Sequence, residues 1–234
     1  MSLSKFAATQ SAHKPPALLV VLENVGHIVG FNLPSWVTNT IDFVTEEYAK
    51  VRLHQLGVYR CYDRVEILED EQVNGPEWAS ALLRLSLTHR VDQLLLVHGR
   101  DRCLVGYKGK THIDGKTFEP LLDAYAINPN LLDLRMVYGL NCHGVSLAPV
   151  WMALGASVVN GAAGVNWLPE PSLSIFLHRW LNGATFSQAV TDSNRRAVAV
   201  GKHIWRDDLF GNDDPHIAGS RQAIFGRHDL TIYS

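Results

Sequence analysis

Charge of one sign, cysteine and long apolar runs are all scarce in this chain of 234 residues. Lys plus Arg (21) and Asp plus Glu (23) nearly cancel, leaving a formal charge of −2. A chain that grips nucleic-acid phosphates carries a basic excess, so no nucleic-acid partner is expected. The longest uninterrupted apolar run, Ala17–Leu22, is far shorter than the ~18 residues of a membrane-spanning helix, so no membrane partner is expected. The N-terminus, MSLSKFAATQSAHKPP, lacks the apolar stretch and cleavage site of a secretory signal. The three cysteines (Cys61, Cys103, Cys142) have no C-x-x-C spacing, which excludes a disulfide framework or a zinc knuckle. A reduced, cytoplasmic compartment is the expectation. Eleven histidines include no H-E-x-x-H pattern, and no metal is expected.

What is present is an alternation of strand and helix signals. Residues 1–16 are polar, end on Lys-Pro-Pro, and read as a flexible arm. No linker or repeat follows, so residues 17–234 are expected to form a single domain. Short continuous apolar runs mark buried strands at Ala17–Glu23, Asp92–Val97, Leu132–Leu140 and Ala156–Asn160, with another strand within Val58–Leu68. Amphipathic patterns predict helices over Pro34–Leu56, from Gly75 to near Arg90, and over Phe118–Tyr125, Ser146–Leu154, Ser172–Leu181 and Phe186–Val200. Cys103–Tyr107 and Thr111–Ile113 read as a hairpin, and Leu230–Tyr233 as a last strand. Such alternation argues an α/β layered fold with a mostly parallel sheet, whose active loops lie at the carboxyl ends of the strands.

Two chemistry-bearing segments fall at such ends. His98-Gly99 closes the third strand and Cys142 follows the fourth, 44 positions later. That interval holds a hairpin, a helix and a strand, enough for a crossover to a neighbouring parallel strand. An imidazole can take the proton of a thiol and return it to a leaving amine. The backbone N–H groups of Gly99 and Cys142 are candidates for an oxyanion hole, and a missing side chain at 99 admits close backbone approach.

LLLVHGR followed by MVYGLNCHGVSLAPVWMALGASVVNGAAG resembles the caspase-like cysteine peptidases, above all the CHAT-type caspase-like peptidases of bacteria, with gingipain-like and metacaspase relatives further off. The resemblance runs from about Val91 to the C-terminus and includes FLHRWLNGATFSQAVTDSNRRA. At AIFGRHDLTIY relatives often end in a Phe-Gly-Asp-Pro-x-Leu strand, where this chain has Arg227-His228-Asp229. The resemblance implies a three-layer α/β/α sandwich with a mostly parallel central sheet. It also implies a Cys–His dyad, with Cys142 as nucleophile, His98 as general base and acid, and Gly99 plus Cys142 as amide donors. The implied reaction is peptide-bond hydrolysis through an acyl-enzyme, with no metal or cofactor. The implied partners are a polypeptide substrate and an activating or regulatory protein.

Position 140 is Leu, where metacaspase-like and clostripain-like relatives carry an acid for a basic P1 side chain. Glu23 is the candidate for lining a basic-specific pocket, Arg100 or Arg102 for an acidic-specific one, and Asn166-Trp167 for a pocket wall. Two other classes stay open. One is a catalytically silent caspase-like adaptor, motivated by Arg100 and Leu140. The other is an α/β-hydrolase-type esterase, in which Gly144-Val145-Ser146-Leu147-Ala148 is a degraded nucleophile elbow and Ser146 attacks. Two Gly-Lys-Thr triplets, at 109–111 and 115–117, lack the upstream glycine of a phosphate loop.

Overall fold

The computed structural model describes residues 14–23, 47–205 and 212–234. Its strands are β1 (Pro16–Leu22), β2 (Arg64–Glu69), β3 (Arg90–Leu96), β4 (His98–Arg100), β5 (Cys103–Val105), β6 (His112–Ile113), β7 (Leu134–Gly139), β8 (Val158–Ala162) and β9 (Gln222–Gly226). Six of them form the central sheet in the order β2-β1-β3-β7-β8-β9. The first five run parallel and β9 is antiparallel to β8. The other three form a small antiparallel sheet, β4-β5-β6.

The apolar runs become strands because both faces of the sheet are covered. Successive side chains of a strand point to opposite faces. In β1, Ala17, Leu19 and Val21 enter one core, while Leu18, Val20 and Leu22 enter the other. The first core takes Trp78 and Leu82 from helix Gly75–Ser86, Phe118 from Gly115–Ile127 and Trp151 from Ala148–Ala153. Trp78, Phe118 and Trp151 meet edge to face, with centroids 5.3–5.6 Å apart. Each such pair contributes roughly 0.5–1.5 kcal/mol beyond area burial. The second core takes Leu53 from the helical residues 47–55, Phe176 and Trp180 from Pro169–Leu181, and Phe186 from Phe186–Ile204. Helices thus flank a mostly parallel sheet on both faces, a three-layer α/β/α sandwich.

Helix starts follow local chemistry. The Asn74 side chain accepts the N–H of Glu77 at 3.0 Å, and Pro76 removes an amide that would lack a helical partner. Thr185 and Gln188 form a reciprocal capping box for the longest of these helices.

The amino-terminal rim of the sheet holds a buried charge pair. Asp92 is fully buried, and its Oδ1 accepts Arg135 Nε at 2.8 Å. Asp92 Oδ2 also accepts the Tyr62 hydroxyl at 2.7 Å, and the Tyr62 oxygen accepts Trp180 Nε1 at 2.9 Å. A buried carboxylate requires such partners, because desolvation penalises it heavily. Burial, with the Asp92 charge beside it, pushes the Tyr62 phenol well above its ordinary range.

Several expectations change in detail. Within Val58–Leu68 the chain first makes a short helix, Val58–Cys61, before β2 begins at Arg64. The helix expected over Pro34–Leu56 falls largely outside the described residues, and 47–55 is helical. Residues 1–13 of the expected arm also lie outside them, whereas Lys14 pairs with Asp133 at 3.1 Å. Leu230–Tyr233 is a turn, not a strand, and the last strand is β9. Leu230 and Ile232 bury their side chains, but the carbonyls of Ile232 and Ser234 accept Arg135 Nη1 at 3.1 and 2.8 Å. A buried guanidinium has taken the backbone acceptors that a strand partner would use.

Candidate active site

The chain leaves β1 for β2 on one side, while β3 lies on the other. In open α/β sheets such a reversal marks the place where ligands bind, here beside the carboxyl ends of β1 and β3. Glu23 directly follows β1, and its N–H donates to Leu96 O at 2.9 Å. His98 follows β3 and starts β4, so the backbone turns there from the large sheet into the small one. β7 is the next strand, with Gly139 opposite Leu95, and the N–H of Leu140 donates to Leu95 O at 3.0 Å. The loops carrying His98 and Cys142 are therefore neighbours at one rim.

Their backbones touch. A methyl built on Gly99 would lie 2.2 Å from the carbonyl oxygen of Cys142 and 3.0 Å from Asn141 Nδ2. Only glycine permits that approach. Asn141 Nδ2 in turn donates to Cys142 O at 3.2 Å. His98 and Cys142 are both half-buried.

The loop after Cys142 is tightly specified. His143 has a left-handed backbone (φ 54°), uncommon for a residue with a side chain. Its N–H donates to Gly164 O at 2.7 Å. The Sγ of Cys142 accepts the N–H of Asn166 at 3.3 Å. The Ser146 hydroxyl donates to His143 O at 2.8 Å and accepts the N–H of Arg102 at 2.7 Å. It is a latch between the post-cysteine turn and the β4–β5 turn, which leaves the esterase reading without a poised nucleophile.

The other expected site residues divide. Glu23 is 3% exposed, and its Oε1 accepts the N–H of Lys108 at 2.9 Å. Arg100 is exposed at the end of β4, opposite Cys103. Leu140 is 6% exposed and belongs to the second core, so only its backbone reaches the rim. Its carbonyl accepts Asn166 Nδ2 at 2.8 Å. Trp167, 37% exposed, stands edge-on to His216 with centroids 4.9 Å apart. Of the other thiols, Cys103 is pushed up by burial first and then by the charge of Asp114, which disfavours its thiolate.

Sequence reasoning missed the supporting groups. Asn160 Oδ1 accepts Gly139 N–H at 3.0 Å, fixing the end of β7. A polar residue closing the apolar run Val158–Val159 was its available signal. The Trp167 N–H donates to Ser220 Oγ at 2.8 Å, and His216 stacks on Trp205 at 5.1 Å. No local pattern marks those partners.

No family model and no curated protein matches the sequence. Solved structures do. The Arg-specific cysteine proteinase gingipain R superposes with a TM-score of 0.55 at 13% identity, covering 97% of this chain and 52% of that one. The complex of the pro- and mature domains of RgpB from Porphyromonas gingivalis gives 0.57 at 12%, covering 95% and 49%. The chain therefore has the caspase-like fold of the gingipain cysteine proteinases, and it spans about half the length of the solved chains it matches.

Proposed function

We propose that this chain is a cysteine endopeptidase that cleaves peptide bonds through an acyl-enzyme. The observation that carries the reading is the backbone contact between Gly99 and Cys142, which joins an imidazole-bearing loop to a thiol-bearing loop at one sheet rim. In this reading His98 takes the proton of Cys142, and the sulfur attacks the scissile carbonyl carbon. The developing oxyanion receives the N–H groups of Gly99 and Cys142, the kind of donor pair that strengthens as charge forms. His98 then gives its proton to the leaving amine, and water, deprotonated by His98, hydrolyses the thioester. No metal or cofactor enters these steps.

On the substrate side the reading assigns Arg100, Asn166 and Trp167 to the walls of the substrate site, with Glu23 beneath and the Leu140 backbone behind. The chain is taken as one peptidase domain over residues 17–234, acting in the cytoplasm. Its Cys-x-Gly segment and the Gly155-Ala156 turn before β8 support a CHAT-type subgroup. A regulatory protein partner is part of the proposal, supported by the pro-domain bound to the similar RgpB fold.

The test is cleavage of a peptide library by the wild type and by Cys142→Ala. Loss of at least about 10³-fold in kcat/KM is expected from removing a nucleophile. Equal cleavage by both proteins rejects Cys142 as nucleophile, and cleavage by neither favours the silent adaptor.

A further inference from the structure

The backbone amide of Asn166 donates to the Cys142 sulfur. Asn166 is held at three points. Its Nδ2 donates to Leu140 O at 2.8 Å, its Oδ1 accepts the Leu168 N–H at 3.1 Å, and its own N–H reaches Sγ at 3.3 Å. The flanking bonds, His143 N–H to Gly164 O at 2.7 Å and Trp167 N–H to Ser220 Oγ at 2.8 Å, pin the same loop on either side.

We propose that Asn166 is a positioning residue for Cys142: its side chain aims its backbone amide at the sulfur and fixes the direction of the thiol. The inference rests on the reading of Cys142 as nucleophile but concerns the sulfur alone. An N–H donated to an ionised acceptor is roughly twice as strong as one to a neutral group, so the bond holds the sulfur most firmly once its proton has been transferred. The amide side chain suits the task because it must donate to Leu140 O and accept from Leu168 N–H at once. Aspartate has no donor for the Leu140 carbonyl and adds a negative charge close to the sulfur. Alanine offers neither bond.

The experiment is the rate of Cys142 alkylation by iodoacetamide across pH 5–10 (a range chosen to span the ordinary cysteine pKa of about 8.5), in the full chain and in Asn166→Asp and Asn166→Ala. Each thiol is read separately by peptide mass. Asn166→Asp is expected to slow Cys142 roughly tenfold at neutral pH and to move its profile about one pH unit upward. Asn166→Ala should move it less, with Cys61 and Cys103 unchanged in both. Folded variants whose Cys142 profiles superpose on the wild type overturn the proposal. If the variants do not fold, the wild-type chain labelled with ¹⁵N-Asn gives the answer. The Asn166 amide resonance must move when Cys142 is alkylated, and a resonance that stays put overturns the proposal as surely. Iodoacetamide needs no peptide substrate, so a chain that cleaves nothing can still pass this test, and one that cleaves peptides can still fail it.

Discussion

At the amino-terminal rim of the sheet, Asp92 and Arg135 close on each other from within neighbouring strands, with Tyr62 and Trp180 completing the cluster. At the carboxyl-terminal rim, Glu23, Cys142 and Ser146 each accept the backbone N–H of a different loop: Lys108, Asn166 and Arg102. The first rim satisfies full charges inside rigid elements. The second uses loop amides to orient one buried carboxylate and two half-buried polar side chains. A defect at the first should therefore be felt by the whole fold, and a defect at the second by the chemistry.

Cys142→Ala, which should remove cleavage, gives the largest separation. It is expected to unfold at nearly the wild-type urea concentration, because a half-buried thiol contributes little to the core. Arg135→Met attacks the opposite rim. It leaves the Asp92 carboxylate buried without its cation, at a cost of about 3–5 kcal/mol in urea unfolding. Asp92→Leu combined with Arg135→Met should recover much of that loss. A single variant as stable as the wild type would refute the closed-network account.

Gly99→Ala tests where the two loops meet. The new methyl would face a backbone carbonyl that has no rotamer to escape into, so a destabilisation of about 1–3 kcal/mol is expected. Cleavage should fall by more than that loss of folded protein explains, and a variant with normal cleavage would break the proposed oxyanion arrangement.

The smallest effect concerns Asp213, whose carboxyl is held below the usual range by the Arg221 guanidinium first and by Lys202. A depressed carboxylate contributes its stability above the ordinary carboxylate pKa and loses it as pH falls through the folded value. Amide protection in helix Pro215–Ser220 should fall relative to β3 as the solution is acidified below about pH 4. Asp213→Asn should flatten that dependence.

The strands and most helices were legible because their signals are local. Apolar runs such as Leu94–Val97 cannot remain in water, and Gly75-Pro76 announces a helix start. The place of the candidate residues was partly legible: His98-Gly99 and Cys142 follow apolar strands, where loops emerge. Asn160, Asn166, Ser220 and His216 were not legible in their supporting roles, because an amide or hydroxyl acquires meaning only from the backbone group it meets. Leu140 misled for a related reason. Its position next to the cysteine loop marked it for substrate, yet its side chain, just past the end of β7, packs into the second core. The turn at Leu230–Tyr233 shows the same limit, since its apolar alternation is real but Arg135, far away in sequence, captured the carbonyls.

Composition and periodicity alone determined that this chain builds a layered α/β body, because hydrophobic burial follows side-chain spacing along a strand or helix. Which strand lies beside which, and so which loop backbones meet and which amide reaches the Cys142 sulfur, was decided only by folding in three dimensions. Those pairings join residues far apart in the chain, and hydrogen bonds and close backbone contacts act over a few ångströms, a distance on which sequence separation carries no information.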